Sequence, residues 1–131
     1  MRNAPPKKIL IVDDDLLTIA TMAQTLVRNG YQVMHATDEE KAFKSTKKEK
    51  PDLIICNAES KKLDVHQLLK SIQNVRSSQG IPFLMITESE ESPNKGPGIL
   101  GPKQHLSRPF TREQLTIAVQ ENLKRLPLKK R

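Results

Sequence analysis

Short, uninterrupted apolar runs that alternate with helical segments are what most constrain the fold of this chain. Strands are predicted over 52–57 and 82–87, where residues 53–56 (LIIC) and 83–86 (FLMI) are apolar at every position. Such runs are typical of strands covered on both faces of a parallel sheet. Residues 8–13 (KILIVD) read as a similar strand that ends in an acid, and 31–36 (YQVMHA) alternates as a strand near an edge. A short fifth strand is predicted at 103–107 (KQHLS).

Two helical segments are recognised by the spacing of their apolar residues. Residues 64–78 carry apolar side chains three and four positions apart, and the same spacing in 15–30 predicts a helix with one buried face. We expect Gly30 to end this first helix. The predicted buried face consists of Leu16, Ile19, Ala20, Ala23, Leu26 and Val27.

Two further helices are recognised by how they begin. Each opens with a threonine that is followed three residues later by a glutamate or a glutamine, the spacing of a capping box. The pairs are Thr37 with Glu40 for a helix over 37–50, and Thr111 with Gln114 for a helix over 111–126.

The segment 89–102 (SEESPNKGPGILGP) stands where the alternation demands a fourth helix. Proline in a helix interior costs about 3 kcal/mol and glycine about 1 kcal/mol. Pro93, Gly96, Pro97 and Gly98 all fall inside the segment, so the fourth helix is predicted to be degenerate, a short turn or an irregular loop.

Strands that alternate with helices predict an α/β fold with a doubly wound parallel sheet. Right-handed crossovers and five strands favour the flavodoxin-like order 2-1-3-4-5. We expect one domain over residues 7–126, with a flexible N-terminus at 1–6 and a basic tail or linker start at 127–131.

Polar residues follow the strands at the edge where parallel α/β sheets place their ligands. Asp13 and Asp14 follow the first strand, Asn57 ends the third, Thr87 ends the fourth and Arg108 follows the fifth. The order 2-1-3-4-5 puts the first and third strands side by side, so a site is predicted there.

Composition narrows the class of protein. The chain has 131 residues and a net charge of +7, with one cysteine, Cys56, and no apolar run of membrane-spanning length. A lone cysteine excludes an internal disulfide, and the N-terminus lacks the apolar core of a signal peptide. We therefore predict a cytoplasmic protein without a membrane partner, in which Cys56 is a core residue.

Taken together, these segments resemble a response regulator receiver domain over roughly residues 7–126. The resemblance implies a signalling module of two-component systems rather than an enzyme, with an aspartate phosphorylated in the presence of Mg²⁺. It also places the family's functional positions: the acidic pair at Asp13 and Asp14, the phosphoacceptor at Asn57, the switch residues at Thr87 and His105, the conserved lysine at Arg108 and a cis-proline at Pro109.

The chain departs from the family pattern at the positions that carry its chemistry. Asn57 is a neutral amide and cannot form the usual acyl phosphate, and Arg108 replaces the lysine with a planar fork that pairs with carboxylates. Residues 58–65 lack the usual Met-Pro and glycine, and 89–102 is eroded. We interpret the chain as a pseudo-receiver, in which Asp13 and Asp14 bind Mg²⁺ weakly and no cofactor is required.

Three function classes stay open on the sequence. The favoured one is a pseudo-receiver that binds a protein partner, a signalling protein or an effector domain, without phosphorylation; a homodimer is a further candidate. The second is a receiver phosphorylated on another acceptor, Asp14 or Ser60. The third is a basic nucleic-acid-binding protein on the same scaffold, which is not favoured because aromatic content is 3%.

Simpler interpretations stand beside these roles. Asp13 and Asp14 could cap the first helix, although Asp15 is the better candidate for the cap. Thr87 could only make a hydrogen bond at the end of its strand, and His105 could be an ordinary residue of an edge strand.

For Arg108 we expect a direct bridge to Asp13 or Asp14, with the Asn57 amide in a neighbouring hydrogen bond.

Overall fold

Five strands form one parallel sheet in the order 2-1-3-4-5, so the predicted fold is confirmed. The structure is a computed structural model that describes residues 5–78, 80–88 and 104–124. The strands are β1 (Lys8–Val12), β2 (Gln32–Ala36), β3 (Leu53–Asn57), β4 (Phe83–Thr87) and β5 (His105–Ser107). β2 and β5 are the edges of the sheet, as their alternating or short sequences suggest.

The three central strands are buried on both faces. Side chains of β1, β3 and β4 alternate between two core clusters, one on each side of the sheet. Leu10, Ile54 and Met85 lie in one cluster, whereas Ile11 and Ile55 lie in the other. Burial on both faces is what an unbroken apolar run requires.

The helices are α1 (Leu16–Arg28), α2 (Glu39–Glu49), α3 (Val65–Gln73) and α4 (Arg112–Lys124). The helix predicted over 64–78 ends early, and a separate 3₁₀ turn occupies Arg76–Ser78. The Ser78 hydroxyl donates to the Ile72 carbonyl at 2.7 Å and so ties this turn to the end of α3. The predicted degenerate fourth helix, 89–102, and the tail 127–131 lie outside the described residues.

One of the two predicted capping boxes is confirmed. At α4, the Gln114 N–H donates to the Thr111 hydroxyl at 3.0 Å, and the Gln114 side chain accepts from the Thr111 N–H at 2.8 Å. The prediction for α2 was wrong by one residue. Its N-cap is Asp38, whose carboxylate accepts from the Lys41 N–H at 2.8 Å.

The buried face of α1 differs from the prediction. Ile19, Met22 and Leu26 face the core, whereas Leu16 and Val27 are 62% and 57% exposed. Ala20 is also exposed, and Ala23 is half-buried. Apolar residues lie on more than one side of this helix, so periodicity alone did not decide which side meets the sheet.

Within the described residues, none of the helices combines the length and apolar character that crossing a bilayer requires.

Candidate functional site

The carboxyl ends of β1 and β3 bring two polar side chains into contact. Val12 of β1 is in register with Cys56 of β3, so the next residue on each strand, Asp13 and Asn57, meet at the sheet edge. The Asn57 side-chain nitrogen donates to Asp13 Oδ1 at 3.3 Å. The sequence prediction that these positions are neighbours is confirmed.

Asp13 is fully buried, and its two carboxylate oxygens have different surroundings. Oδ1 accepts hydrogen bonds from the Asp15 N–H at 3.0 Å and from the Asn57 amide. Oδ2 is buried and has no hydrogen-bond partner. A buried carboxylate oxygen without a hydrogen-bond donor is costly when the group is ionised.

The pKa of Asp13 reflects its burial. Burial raises the pKa of Asp13 above its ordinary value, and the neighbouring Asp14 carboxyl acts in the same direction. The hydrogen bonds from Asp15 and Asn57 and the charge of Arg108 lower the pKa, but they do not offset the loss of solvation.

The Asn57 side chain is held at both ends of its amide. While its nitrogen donates to Asp13, its oxygen accepts from the Glu59 N–H at 2.9 Å. The backbone is fixed as well, because the Ala58 N–H donates to the Ile86 carbonyl of β4 at 2.8 Å. The amide at the end of β3 is therefore a fixed part of the site.

Arg108 reaches the site, but the prediction that it forms a hydrogen-bonded bridge to the acidic pair was wrong. Its guanidinium lies 3.9 Å from Asp13 Oδ2 and 3.7 Å from a carboxylate oxygen of Glu88. Both distances are those of ion pairs and exceed hydrogen-bond length. The guanidinium stands between two carboxylates that belong to different strand ends, which is why it does not close on Asp13.

The backbone around Arg108 agrees with expectation. The Arg108–Pro109 peptide bond is cis, and the following Phe110 is half-buried against the core cluster on the α1 and α4 side of the sheet. The Arg108 N–H donates to the Thr87 carbonyl at 2.8 Å. These contacts hold the end of β5 beside the end of β4.

The two switch positions lie on the neighbouring strands β4 and β5. Thr87 is fully buried, and its hydroxyl is 3.3 Å from the hydroxyl of Ser107, its register partner on β5. This contact is the strand-end hydrogen bond that the simpler interpretation of Thr87 required. His105 is half-buried on the edge strand β5, in register with Met85 of β4, two residues before Thr87.

The remaining candidates near β1 and β3 divide between capping and core roles. Asp15 is the N-cap of α1, as expected, and bonds from the Thr18 hydroxyl and the Leu17 N–H lower its pKa. Asp14 is half-exposed beside the site. Cys56 is fully buried, and burial raises the pKa of its thiol, so its prediction as a core residue is confirmed.

Ser60, the alternative acceptor, and the lysine-containing helix α2 have contacts of their own. The Ser60 hydroxyl accepts from the Leu63 N–H at 3.2 Å, within the loop between β3 and α3.

On α2, Lys44 pairs with Glu40 at 3.1 Å and Lys47 lies 5.3 Å from the centre of the Phe43 ring. These lysines make contacts within their own helix, so α2 is not an uncompensated row of positive charge.

Asp13 and Asp14 are the residues at this edge of the sheet that could hold a cation. In the part of the chain that the structure describes, no three His, Cys, Asp or Glu side chains are grouped to hold a metal ion. Asp13, whose buried Oδ2 has no hydrogen-bond partner, and the half-exposed Asp14 supply two carboxylates. Hard cations such as Mg²⁺ take oxygen ligands of this kind and keep several waters.

Two residues of the site were missed in the sequence analysis. Glu88 directly follows Thr87 at the end of β4, and Ser107 directly precedes Arg108. Their places at strand ends were the available signal, because every strand end of a parallel sheet opens on the same edge. Which of them would contact Thr87 or Arg108 depends on register and could not be read from spacing.

Comparisons with known proteins agree with this geometry. Residues 9–120 match the model of the response regulator receiver domain. The chain is 34% identical over 120 residues to the alkaline phosphatase synthesis transcriptional regulatory protein PhoP of Bacillus subtilis (strain 168), covering 91% of this chain and 49% of the relative. It is 26% identical over 121 residues to the response regulator MprA of Mycolicibacterium vanbaalenii, covering 92% and 52%. The chain thus spans about half the length of these relatives.

A solved structure gives the same answer. The chemotaxis response regulator CheY4 of Vibrio cholerae superposes with a TM-score of 0.74 at 25% identity, covering 88% of this chain and 98% of that one. The parallel sheet and its polar edge define a receiver-type signalling module rather than a typical enzyme. The chain belongs to the response regulator receiver domain family of two-component signalling, whose members work with kinases and effector domains.

Proposed function

We propose that this chain is a pseudo-receiver: it binds a protein partner in two-component signalling without phosphorylation of residue 57. The observation that carries the proposal is the amide of Asn57, which stands at the end of β3 and donates to Asp13. A carboxylate at this place would be a nucleophile for a phosphoryl group, whereas an amide carries neither the charge nor the nucleophilic oxygen.

The charges around Asn57 support the same proposal. Arg108 is paired with Asp13 and Glu88, so an incoming phosphoryl group would have to compete with two carboxylates for the guanidinium. Catalysis of phosphoryl transfer depends mainly on positioning and on stabilising negative charge. A cation that is already shared between two acids supplies less of that stabilisation.

Asp13 and Asp14 would hold a divalent cation in the proposed site. The cation would balance the negative charge of the carboxylate oxygens that bind it. Asn57 contributes no charge, and its oxygen is engaged by the Glu59 N–H. We therefore expect Mg²⁺ to bind more weakly to this chain than to Asn57→Asp, because one anionic ligand is missing. Isothermal titration of both proteins measures this difference, and equal affinities would contradict it.

The proposal is tested by incubating the unmodified chain with acetyl phosphate and Mg²⁺ and measuring the intact mass. We expect no phosphoryl group to be incorporated. Incorporation would overturn the proposal in favour of a receiver with another acceptor. Treatment with hydroxylamine then separates the two candidates, because it cleaves an acyl phosphate on Asp14 and leaves a phosphate ester on Ser60 intact.

A further inference from the structure

Positive charge collects at the end of the sheet that lies opposite the candidate functional site. Each helix runs back from the carboxyl end of a strand, so the helices begin at the carboxyl edge of the sheet and end at its amino edge. At the carboxyl edge, acids are the N-caps of α1, α2 and α3. In the part of the chain that the structure describes, basic residues lie in the last turn of each α-helix: Arg28, Lys47, Lys48, Lys70 and Lys124.

A surface cavity of about 320 Å³ lies at the amino edge. Its lining joins segments that are far apart in the sequence. Lys7 precedes β1, Pro51 and Asp52 precede β3, Ser77 belongs to the 3₁₀ turn and Leu123 lies near the end of α4. Because these segments meet around one cavity, the residues next to them in the chain lie beside it.

Four basic residues flank this cavity and form what we call the amino-edge cluster: Lys7, Lys50, Arg76 and Lys124. Lys7 lines the cavity, and each of the others directly adjoins a lining residue in the chain. All four residues are exposed, and within the described residues none of their side chains takes part in an ion pair. Lys7 and Arg76 belong to no α-helix, so compensation of helix dipoles does not account for the cluster.

The acids nearest to the cluster in sequence are engaged by a different lysine. Lys8 Nζ lies 3.6 Å from a carboxylate oxygen of Glu49, and the Lys8 N–H donates to the Asp52 carboxylate at 2.8 Å. Glu121 precedes Lys124 by three residues on α4, but the two are not paired. The charges of the cluster therefore stay available to an external anion.

Phosphate fits the cluster better than carboxylate does. Arginine grips a carboxylate with two parallel hydrogen bonds, whereas lysine is a point charge that commonly binds phosphate, and three of the four residues are lysines. A nucleic-acid duplex presents closely spaced phosphates, and contacts to them release bound counterions. The low aromatic content disfavours stacking on single-stranded bases, but contacts to a duplex backbone need no aromatic side chain.

We propose that the amino edge binds the phosphate backbone of a nucleic-acid duplex through Lys7, Lys50, Arg76 and Lys124. Contacts to phosphates carry no sequence information, so the binding does not depend on base sequence. In this orientation the candidate functional site, at the opposite edge, faces away from the duplex and stays open to a protein partner. The inference goes beyond the proposed function and does not depend on the chemistry of Asn57.

Fluorescence anisotropy of a labelled DNA duplex of mixed sequence, titrated with the chain at several salt concentrations, tests the binding. We expect binding at low salt, and the logarithm of the association constant should fall with the logarithm of salt concentration by about 0.9 for each phosphate contacted. The double variant Lys7→Gln with Lys50→Gln should bind several-fold more weakly, with a salt slope smaller by about 1.8.

The matched control is the double variant Lys61→Gln with Lys62→Gln. These two lysines are exposed and make no ion pair within the described residues, and they lie in the loop after β3, at the carboxyl edge. The control removes the same charge from the chain, but we expect it to keep the affinity and the salt slope of the unmodified protein.

Acetylation of lysines, followed by mass spectrometry, tests where the duplex lies. Lys7, Lys50 and Lys124 should react several-fold more slowly with an N-hydroxysuccinimide ester of acetic acid when the DNA duplex is present. Lys61 and Lys62 should react at an unchanged rate. The two sets of lysines are compared within one sample, so differences in folding or concentration do not affect the result.

Three results would overturn the proposal. The first is the absence of duplex binding at low salt. The second is equal weakening by the two double variants, or equal protection of the two sets of lysines, because binding would then follow net charge and not the amino edge. The third is tighter binding to polyglutamate, or to vesicles that contain phosphatidylserine, than to the duplex at the same salt concentration. Since none of these measurements involves phosphorylation, they are independent of the test of the proposed function.

Discussion

Replacing Asn57 with aspartate and Arg108 with lysine is expected to produce a chain that takes up one phosphoryl group from acetyl phosphate in the presence of Mg²⁺. The aspartate supplies the nucleophile and a third carboxylate for the cation. The lysine supplies a compact, mobile charge. It replaces the planar guanidinium that now pairs with both Glu88 and Asp13. Intact mass before and after incubation measures the gain.

The single variants separate the two contributions. Asn57→Asp alone should incorporate phosphate more slowly than the double variant, because the Arg108 guanidinium remains shared between two acids. Arg108→Lys alone should remain unmodified, since it lacks an acceptor. If the double variant stays inert, loss of activity extends beyond these two residues, and the departures in residues 58–65 and 89–102 become the next positions to restore.

Replacing Asp13 with asparagine is expected to stabilise the chain at neutral pH in the absence of divalent cations. Asp13 is fully buried, and its Oδ2 has no hydrogen-bond partner. Removing an ionised group from such a place should raise the free energy of unfolding by about 1–3 kcal/mol. Chemical denaturation in EDTA measures the change, and saturating Mg²⁺ should reduce it, because a bound cation stabilises the native protein through Asp13.

The direction of the pH dependence follows from the raised pKa of Asp13. The native protein holds this proton more tightly than the unfolded chain, whose ordinary pKa is 3.8. The contribution of Asp13 to stability is therefore fully present below 3.8 and is lost as pH rises through the native pKa. Asp13→Asn should remove this loss from the stability profile.

Asp15 is the matched control, because its pKa is lowered rather than raised. Its contribution is present above the ordinary value of 3.8 and is lost as pH falls through the native pKa. Asp15→Asn keeps the capping oxygen but removes the favourable charge at the start of α1, so it should destabilise the chain at neutral pH. If Asp13→Asn destabilised the chain in the same way, Arg108 would compensate the buried charge more fully than its 3.9 Å separation indicates.

The sheet, its strand order and the contact between Asp13 and Asn57 could be predicted from the sequence. Apolar runs such as residues 53–56 identify central strands, because few other arrangements bury every side chain of a short run. Once the order was known, Asp13 and Asn57 had to be neighbours, since each follows a strand at the same edge. The confirmed capping box at Thr111 and Gln114 is also local, with both partners within one helical turn.

Only the tertiary structure decided how neighbouring candidates divide their roles. Thr37 and Asp38 are both residue types that cap helices, and Asp38 is the N-cap of α2. Apolar residues lie on several sides of α1, so its contact with the sheet determined that Ile19 and Met22 are buried and Leu16 is exposed.

The environment of Arg108 depended most on the tertiary structure. The sequence placed the guanidinium near the acidic pair, but it did not reveal Glu88 as a second carboxylate at 3.7 Å. Hydrophobic and capping patterns act over one turn or one strand, so they can be read along the chain. Ion pairs between β4 and β5 depend on the relative positions of strand ends that are far apart in sequence, and ångström differences there decide between a hydrogen bond and a looser ion pair.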